Sequence, residues 1–276
     1  NHTNDTFLNE LFDQKYEHIN VNEFGLRVKY LAYALKKTGI KPNDNIAIYM
    51  SSSPTWIIVD FAIQLIGAIS VPIFANISSK NLSYEINDSN IHYIFCDNND
   101  LPSELLQKLT IISTNESVNN SNITLDSLYK TGKDLFTNNI YDLDDLINQV
   151  KEEDTFSIIY TSGSTGVPKG VELTHLNIIS QLHCINEEYN LTSKDRALSL
   201  LPLAHIFERA VMSYYLSQGV SIYFVDELPN VAALMKEVKP TMMTVVPRLL
   251  EKIFNKIKTK VFEKKGLSLL LASAAF

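Results

Sequence analysis

FSIIYTSGSTGVPKG, residues 156–170, is the stretch on which the reading of this chain turns. Phe156 to Tyr160, with Ser157 among them, are apolar or β-forming and run as a short strand into small and hydroxylated residues. The loop carries Gly163, Gly166 and Gly170, with Lys169 just before the last. Glycines let backbone N–H groups close on an anion, and a lysine adds a point charge, so the composition suits a phosphate cradle. The hydroxyls of Thr161, Ser162, Ser164 and Thr165 can donate to phosphate oxygens or ligate Mg²⁺. A nucleotide-triphosphatase loop of the Gly-Lys-Ser/Thr kind does not fit, because Pro168 precedes Lys169 and Gly170 follows it. A plain Gly/Ser/Thr surface turn is the other reading of these residues.

Outward from the loop, apolar runs alternate with helical patterns. On the N-terminal side, helical spacing runs from Phe24 to Lys37 and closes at Gly39. Strands are predicted at Asn45–Met50, Ala68–Phe74 and Tyr93–Cys96, and a short helix at Leu82–Asn87. Ser113 to Asn122 reads as an exposed loop, and Asp142 to Asp154 as an acidic separator. On the C-terminal side, helices are expected at Thr174–Tyr189, His205–Gln218, Val231–Val238 and Pro247–Lys260. Strands between them are expected at Ala197–Leu201, Val220–Val225 and Thr241–Val246. This order argues for a doubly wound α/β fold, with largely parallel sheets flanked by helices. The expected division is a first α/β subdomain over residues 1–150 and a second, carrying the phosphate loop, over 151–276.

Trp56 to Phe74 is nearly all apolar over almost a membrane-spanning length. Asp60 within it would cost about 2.5–3.5 kcal/mol near a bilayer centre, and Gln64 falls on the same helical face. Ser53 as N-cap and Pro54 in the first turn are the start of a buried helix, with Gly67 ending it before a buried strand.

The chain has 276 residues, 45% hydrophobic and 20% charged, with a net charge of −7. No long Lys/Arg cluster supplies a basic face, which argues against nucleic acid as a partner. The lysines from Lys252 to Lys265 alternate with apolar residues and read as a solvated helix face, with a peripheral membrane or partner contact as the alternative. Cys96 and Cys184 lie far apart in sequence, which suits a reducing cytoplasm rather than a disulfide framework. The six histidines form no zinc pattern. Ser268 to Phe276 is apolar and stops without a polar tail, the pattern of a chain cut short.

The string YTSGSTGVPKG, residues 160–170, resembles the signature of the adenylate-forming enzymes, differing from its usual form only at Ser164, where the hydroxyl is kept. LPLAHIFER at 201–209 and VPRLLEKIF at 246–254 are similar to strings of the long-chain fatty acyl-CoA synthetases. GAISVP at 67–72 and KGVELTH at 169–175 match as well, with Glu172 at a position that is often methionine. The resemblance runs from about Phe7 to Asn255. Without it, His205 reads as a helix-terminal histidine and Glu208–Arg209 as an exposed ion pair of little value. With it, the resemblance makes Phe207 a core residue or part of a substrate wall, and Arg248 structural or a contact for an anionic ligand.

The resemblance implies an ATP-dependent long-chain fatty acid–CoA ligase. A fatty acid carboxylate attacks the α-phosphate of ATP, and coenzyme A then takes the acyl group. By the same resemblance, ATP is gripped by Thr161, Ser162, Gly163, Ser164, Thr165, Gly166 and Lys169, with Mg²⁺ on Thr161. Lys169 and His205 are the catalytic candidates, with His205 placed where carboxylate and α-phosphate meet. The family's adenine- and ribose-binding strings and its C-terminal catalytic lysine lie downstream in relatives and do not occur here, so this stretch alone is expected to be inactive. An acyl-AMP ligase delivering to a carrier protein, and a non-catalytic ATP-binding fragment, are the alternatives.

Overall fold

A computed structural model describes residues 4–12, 15–115, 118–162, 166–225 and 231–262. The chain begins with the antiparallel pair β1 (Leu8–Phe12) and β2 (Lys15–Ile19), then α1 (Val21–Lys37). Next come β3 (Asn45–Tyr49), α2 (Pro54–Leu65), β4 (Ile69–Pro72), α3 (Ser79–Asp88) and β5 (Tyr93–Cys96). A short α4 (Ser103–Leu106), β6 (Thr110–Ser113), β7 (Ile123–Thr124), α5 (Leu125–Thr137) and α6 (Leu143–Asn148) follow. The hairpin β8 (Thr155–Thr161) and β9 (Lys169–Thr174) flanks the glycine-rich loop. The remainder is α7 (His175–Glu188), β10 (Arg196–Ser199), α8 (Ile206–Gln218), β11 (Ser221–Phe224), α9 (Val231–Val238), β12 (Met242–Met243) and α10 (Pro247–Phe262).

These elements build two sheets flanked by helices. One has seven strands in the order β7-β6-β5-β3-β4-β8-β9, parallel except for the β8–β9 hairpin. The other has five, β12-β10-β11-β1-β2, parallel except for β1–β2. The sheets do not divide at residue 150. β8 and β9 complete the seven-stranded sheet, and β1 and β2 join the five-stranded one.

Local chemistry fixes the helix starts. The Ser53 hydroxyl accepts from the Trp56 N–H at 3.2 Å with Pro54 in the first turn, and Asn20 caps α1 through the Glu23 N–H. Thr174 and Asn177 form a reciprocal capping box on α7. Glycine is required where α1 crosses α5. A Cβ on Gly132 would stand 1.7 Å from the Tyr30 carbonyl oxygen.

The main core lies where α1, α2 and α8 meet the two sheets, around Leu31, Trp56, Ile63, Met212, Tyr215 and Ile222. A second cluster, including Ala47, Val71, Leu82 and Ile94, involves β3, β4, β5 and α3. Residues 56–74 thus take in most of the twelve-residue α2 and the buried strand that follows it, and among the described residues no helix is long and apolar enough to cross a membrane. The expected exposed loop at 113–122 is corrected at two positions. Ser113 closes β6 and is buried, and Val118 is buried too. Cys96 is buried and Cys184 exposed, both as free thiols. Lys252 and Lys258 are exposed on α10, and residues 268–276 lie outside the described residues.

Candidate active site

Thr161 ends β8 and faces Lys169, the first residue of β9, across the hairpin. Thr161, Ser162, Gly166 and Lys169 are all exposed, while Gly163, Ser164 and Thr165 lie outside the described residues. Gly166 sits at φ +80°, in the left-handed region that side chains avoid, so glycine here meets a backbone requirement. Among the described residues Lys169 makes no ion pair. Gly170 is not part of the loop but a residue of β9. A Cβ there would approach Ile158 Cγ2 to 2.9 Å and the Tyr160 ring to 3.3 Å, so its glycine serves cross-strand packing.

The hairpin is fixed at its base. The Tyr160 hydroxyl donates to Asp88 Oδ2 at 2.6 Å and contacts Ser89 Oγ at 2.6 Å, tying β8 to α3. Burial, with the Asp88 carboxylate beside it, pushes the Tyr160 phenol well above its ordinary range, so it stays a neutral donor.

His205 is the N-cap of α8 and is exposed. Its Nδ1 accepts from the Phe207 N–H at 3.2 Å, which leaves Nε2–H as a free donor direction in the neutral ring. The ring meets Phe74 edge-on at 6.5 Å, just beyond the end of β4. β4 is the neighbour of β8, so His205 and the loop lie at the carboxyl ends of adjacent strands. The Leu203 N–H donates to Ser52 Oγ at 3.0 Å, joining the loop before α8 to the loop after β3. Phe207 is 46% exposed, which removes the core reading. Arg248 is exposed at the start of α10.

Glu208 and Arg209 correct the sequence reading, which took them for an exposed pair. Each is 1% exposed, and they do not pair with each other. The Glu208 carboxylate accepts from the Ser199 hydroxyl at 2.8 Å, and burial pushes its pKa up to about 7. Arg209 forks onto Asp60, Nε to Oδ2 at 2.9 Å and Nη2 to Oδ1 at 2.5 Å. It also donates to Ser157 Oγ at 2.7 Å and Ser70 Oγ at 2.6 Å, with the guanidinium 4.0 Å from the Phe156 ring centre. Gln64 completes the cluster, donating to the Phe156 carbonyl at 2.9 Å and Ser70 Oγ at 3.0 Å. Asp60, alone in an apolar run, was the signal for this cluster. A buried carboxylate needs a buried cation.

Among the described residues no group of three His, Cys, Asp or Glu side chains could hold a metal by itself. The oxygen donors at Thr161 and Ser162 suit a hard cation such as Mg²⁺ only in company with ligand oxygens.

Residues 1–275 match the family described as AMP-binding enzyme. The chain belongs to that family. Its curated relatives include the rat "Long-chain-fatty-acid–CoA ligase 5", 30% identical over 90% of this chain and 39% of the relative. "Long chain acyl-CoA synthetase 6, peroxisomal" of Arabidopsis thaliana is 31% identical over 95% of this chain and 38% of the relative. The chain therefore spans about two fifths of the length of these AMP-binding relatives. Solved structures with the same fold include the N-terminal domain of FACL13 from Mycobacterium tuberculosis, at TM-score 0.71 and 21% identity, covering 88% of this chain and 60% of that one. The o-succinylbenzoate CoA synthetase of Bacillus subtilis in complex with ATP and magnesium ion has TM-score 0.69 at 18% identity, covering 90% of this chain and 48% of that one.

Proposed function

We propose that this AMP-binding chain is the ATP-gripping part of a long-chain fatty acid–CoA ligase. The observation that carries the reading is the hairpin. Its two strands present Lys169 opposite Thr161, exposed and without an ion-pair partner among the described residues, beside a glycine held at positive φ. That arrangement suits a polyanion supplied from outside.

In the first step a carboxylate oxygen of the fatty acid bonds to the α-phosphorus of ATP, and the bond from that phosphorus to the pyrophosphate oxygen breaks. The carboxylate is already ionised near neutral pH, so no protein base is needed. Negative charge grows on the departing pyrophosphate, and Lys169 with the hydroxyls of Thr161 and Ser162 would supply the groups that stabilise it. Thr161 would hold Mg²⁺ in company with phosphate oxygens, and the ion when bound would supply Lewis-acid neutralisation of the same charge. His205 Nε2–H donates to an oxygen where the carboxylate and the α-phosphate meet. In the second step the thiol of coenzyme A loses its proton, its sulfur bonds to the acyl carbon, and AMP leaves with the C–O electron pair.

The test is carboxylate-dependent ATP–pyrophosphate exchange by the full-length protein across a panel of chain lengths, followed by acceptor assays. Exchange that is strongest with long-chain acids, and thioester formation with coenzyme A, is the expected result. Transfer only to a carrier protein would make it an acyl-AMP ligase. No exchange with any carboxylate would remove the enzymatic reading. The 276-residue chain by itself is expected to form no acyl-CoA.

A further inference from the structure

The two halves of the proposed site belong to different sheets. The glycine-rich loop leaves β8 of the seven-stranded sheet, and His205 begins the helix that follows β10 of the five-stranded sheet. A reaction that uses both needs a fixed geometry between the sheets, since a misplacement near 1 Å costs on the order of a hundredfold in rate.

Arg209 is the side chain that spans this junction. Its backbone N–H donates to the His205 carbonyl at 3.2 Å, one helical turn away. Its Nη1 donates to Ser157 Oγ, four residues before Thr161 on the strand that launches the loop. Ser157 passes the contact on, donating to the Ser70 carbonyl of β4 at 2.6 Å. The remaining prongs hold Asp60 of α2 and Ser70 of β4, and the face of the guanidinium covers Phe156, the neighbour of Ser157. On the other side of the same helix Glu208 bonds Ser199 at the end of β10. Adjacent residues of α8 therefore bind it to both sheets, just below His205.

A lysine cannot reproduce this. The planar fork reaches Asp60, Ser70 and Ser157 from one fixed geometry, whereas an ammonium is a single flexible point. A buried ion pair kept only for stability would be replaceable by apolar residues of similar volume. Here the pair carries two serine hydroxyls from neighbouring strands.

We propose that Arg209 is a positioning residue, which through Ser157 sets Thr161 and Lys169 of the hairpin against His205 so that two sheets present one site. The proposal rests on the roles assigned above to Lys169 and His205. It adds that their mutual placement is set by a group that touches neither substrate.

The test uses the full-length protein with Arg209→Lys and Ser157→Ala. Tyr214→Phe, which loses a bond from α8 to the Tyr189 carbonyl, is the control for general destabilisation. Pyrophosphate exchange kinetics and deuterium uptake are read together. The expected result is a loss of about tenfold to a hundredfold in kcat with little change in the KM for ATP in both variants. Uptake should rise together in segments 155–174 and 201–209. Tyr214→Phe should lower stability without either change. The proposal is overturned if Arg209→Lys and Ser157→Ala behave like Tyr214→Phe, or if only one of the two segments loosens. Should the wild type show no exchange at all, the ligase reading fails, while joint loosening of the two segments still decides the coupling.

Discussion

Two motifs of similar length meet in this molecule, and their charged residues do opposite things. In the hairpin at 161–169, Lys169 is exposed at the edge of the seven-stranded sheet. In the helix that starts after His205, Glu208 and Arg209 are buried, and the fold itself answers the Arg209 charge through Asp60. A charge left open by the fold is available to a ligand, whereas a charge the fold has satisfied is structural even when it sits in a family motif. His205 stands at the border. Its Nδ1 serves the helix N-terminus and its Nε2 is left for a partner.

The contrast is broken most severely at Arg209. Arg209→Ala leaves Asp60 buried and uncompensated and should cost about 3–5 kcal/mol in chemical denaturation. Asp60→Leu with Arg209→Met should recover much of that loss. A single variant with near-wild-type stability would contradict the burial argument.

The next effect is in the pH dependence of stability. Burial raises the Glu208 carboxyl from 4.5 to about 7 in the folded state. Its favourable contribution is therefore complete below 4.5 and is lost as pH climbs through about 7, at up to about 1.4 kcal/mol per pH unit. Glu85, also pushed up to about 7 by burial, adds a slope of the same sign. His175, whose pKa burial lowers, tilts the other way below its ordinary value of 6.5. Glu208→Gln should flatten the decline between pH 4.5 and 7 without abolishing it, measured by urea unfolding at stepped pH. An unchanged slope would place the titration elsewhere.

Gly170→Ala sharpens the comparison from the hairpin side. The added Cβ must displace Ile158 and the Tyr160 ring, which should cost about 1 kcal/mol and splay β9 from β8. The check is the midpoint of thermal unfolding together with the pyrophosphate-exchange rate.

Much of the architecture was legible because helix starts and buried strands announce themselves locally. Ser53-Pro54, the apolar run at Tyr93–Cys96, and the helix start near Thr174 all stand where the sequence put them. The β1–β2 pair was missed because its stability comes from β11, more than 200 residues away, and its exposed alternation is weak. β9 was missed because an edge strand with Gly170 and Glu172 looks like an extension of the loop. α5 lay in a stretch whose apolar face, Leu125 and Leu128, has meaning only against α1. At the site, composition left a phosphate cradle and a plain surface turn both open, and only the resemblance of the whole string at 160–170 favoured the cradle. The roles of Glu208 and Arg209 were not legible, because burial is decided by two sheets closing on one helix. The one local clue was Asp60.

The smallest effect on folding belongs to Lys169, and it is also the most direct test of the account. Lys169→Ala should change unfolding free energy by no more than about 0.5 kcal/mol, as for an exposed residue without an internal partner. In the full-length protein the same change should lower fatty-acid-dependent pyrophosphate exchange by about 100-fold or more. Exchange that survives at the wild-type rate, with folding equally intact, would contradict the claim that this hairpin holds the phosphates of ATP.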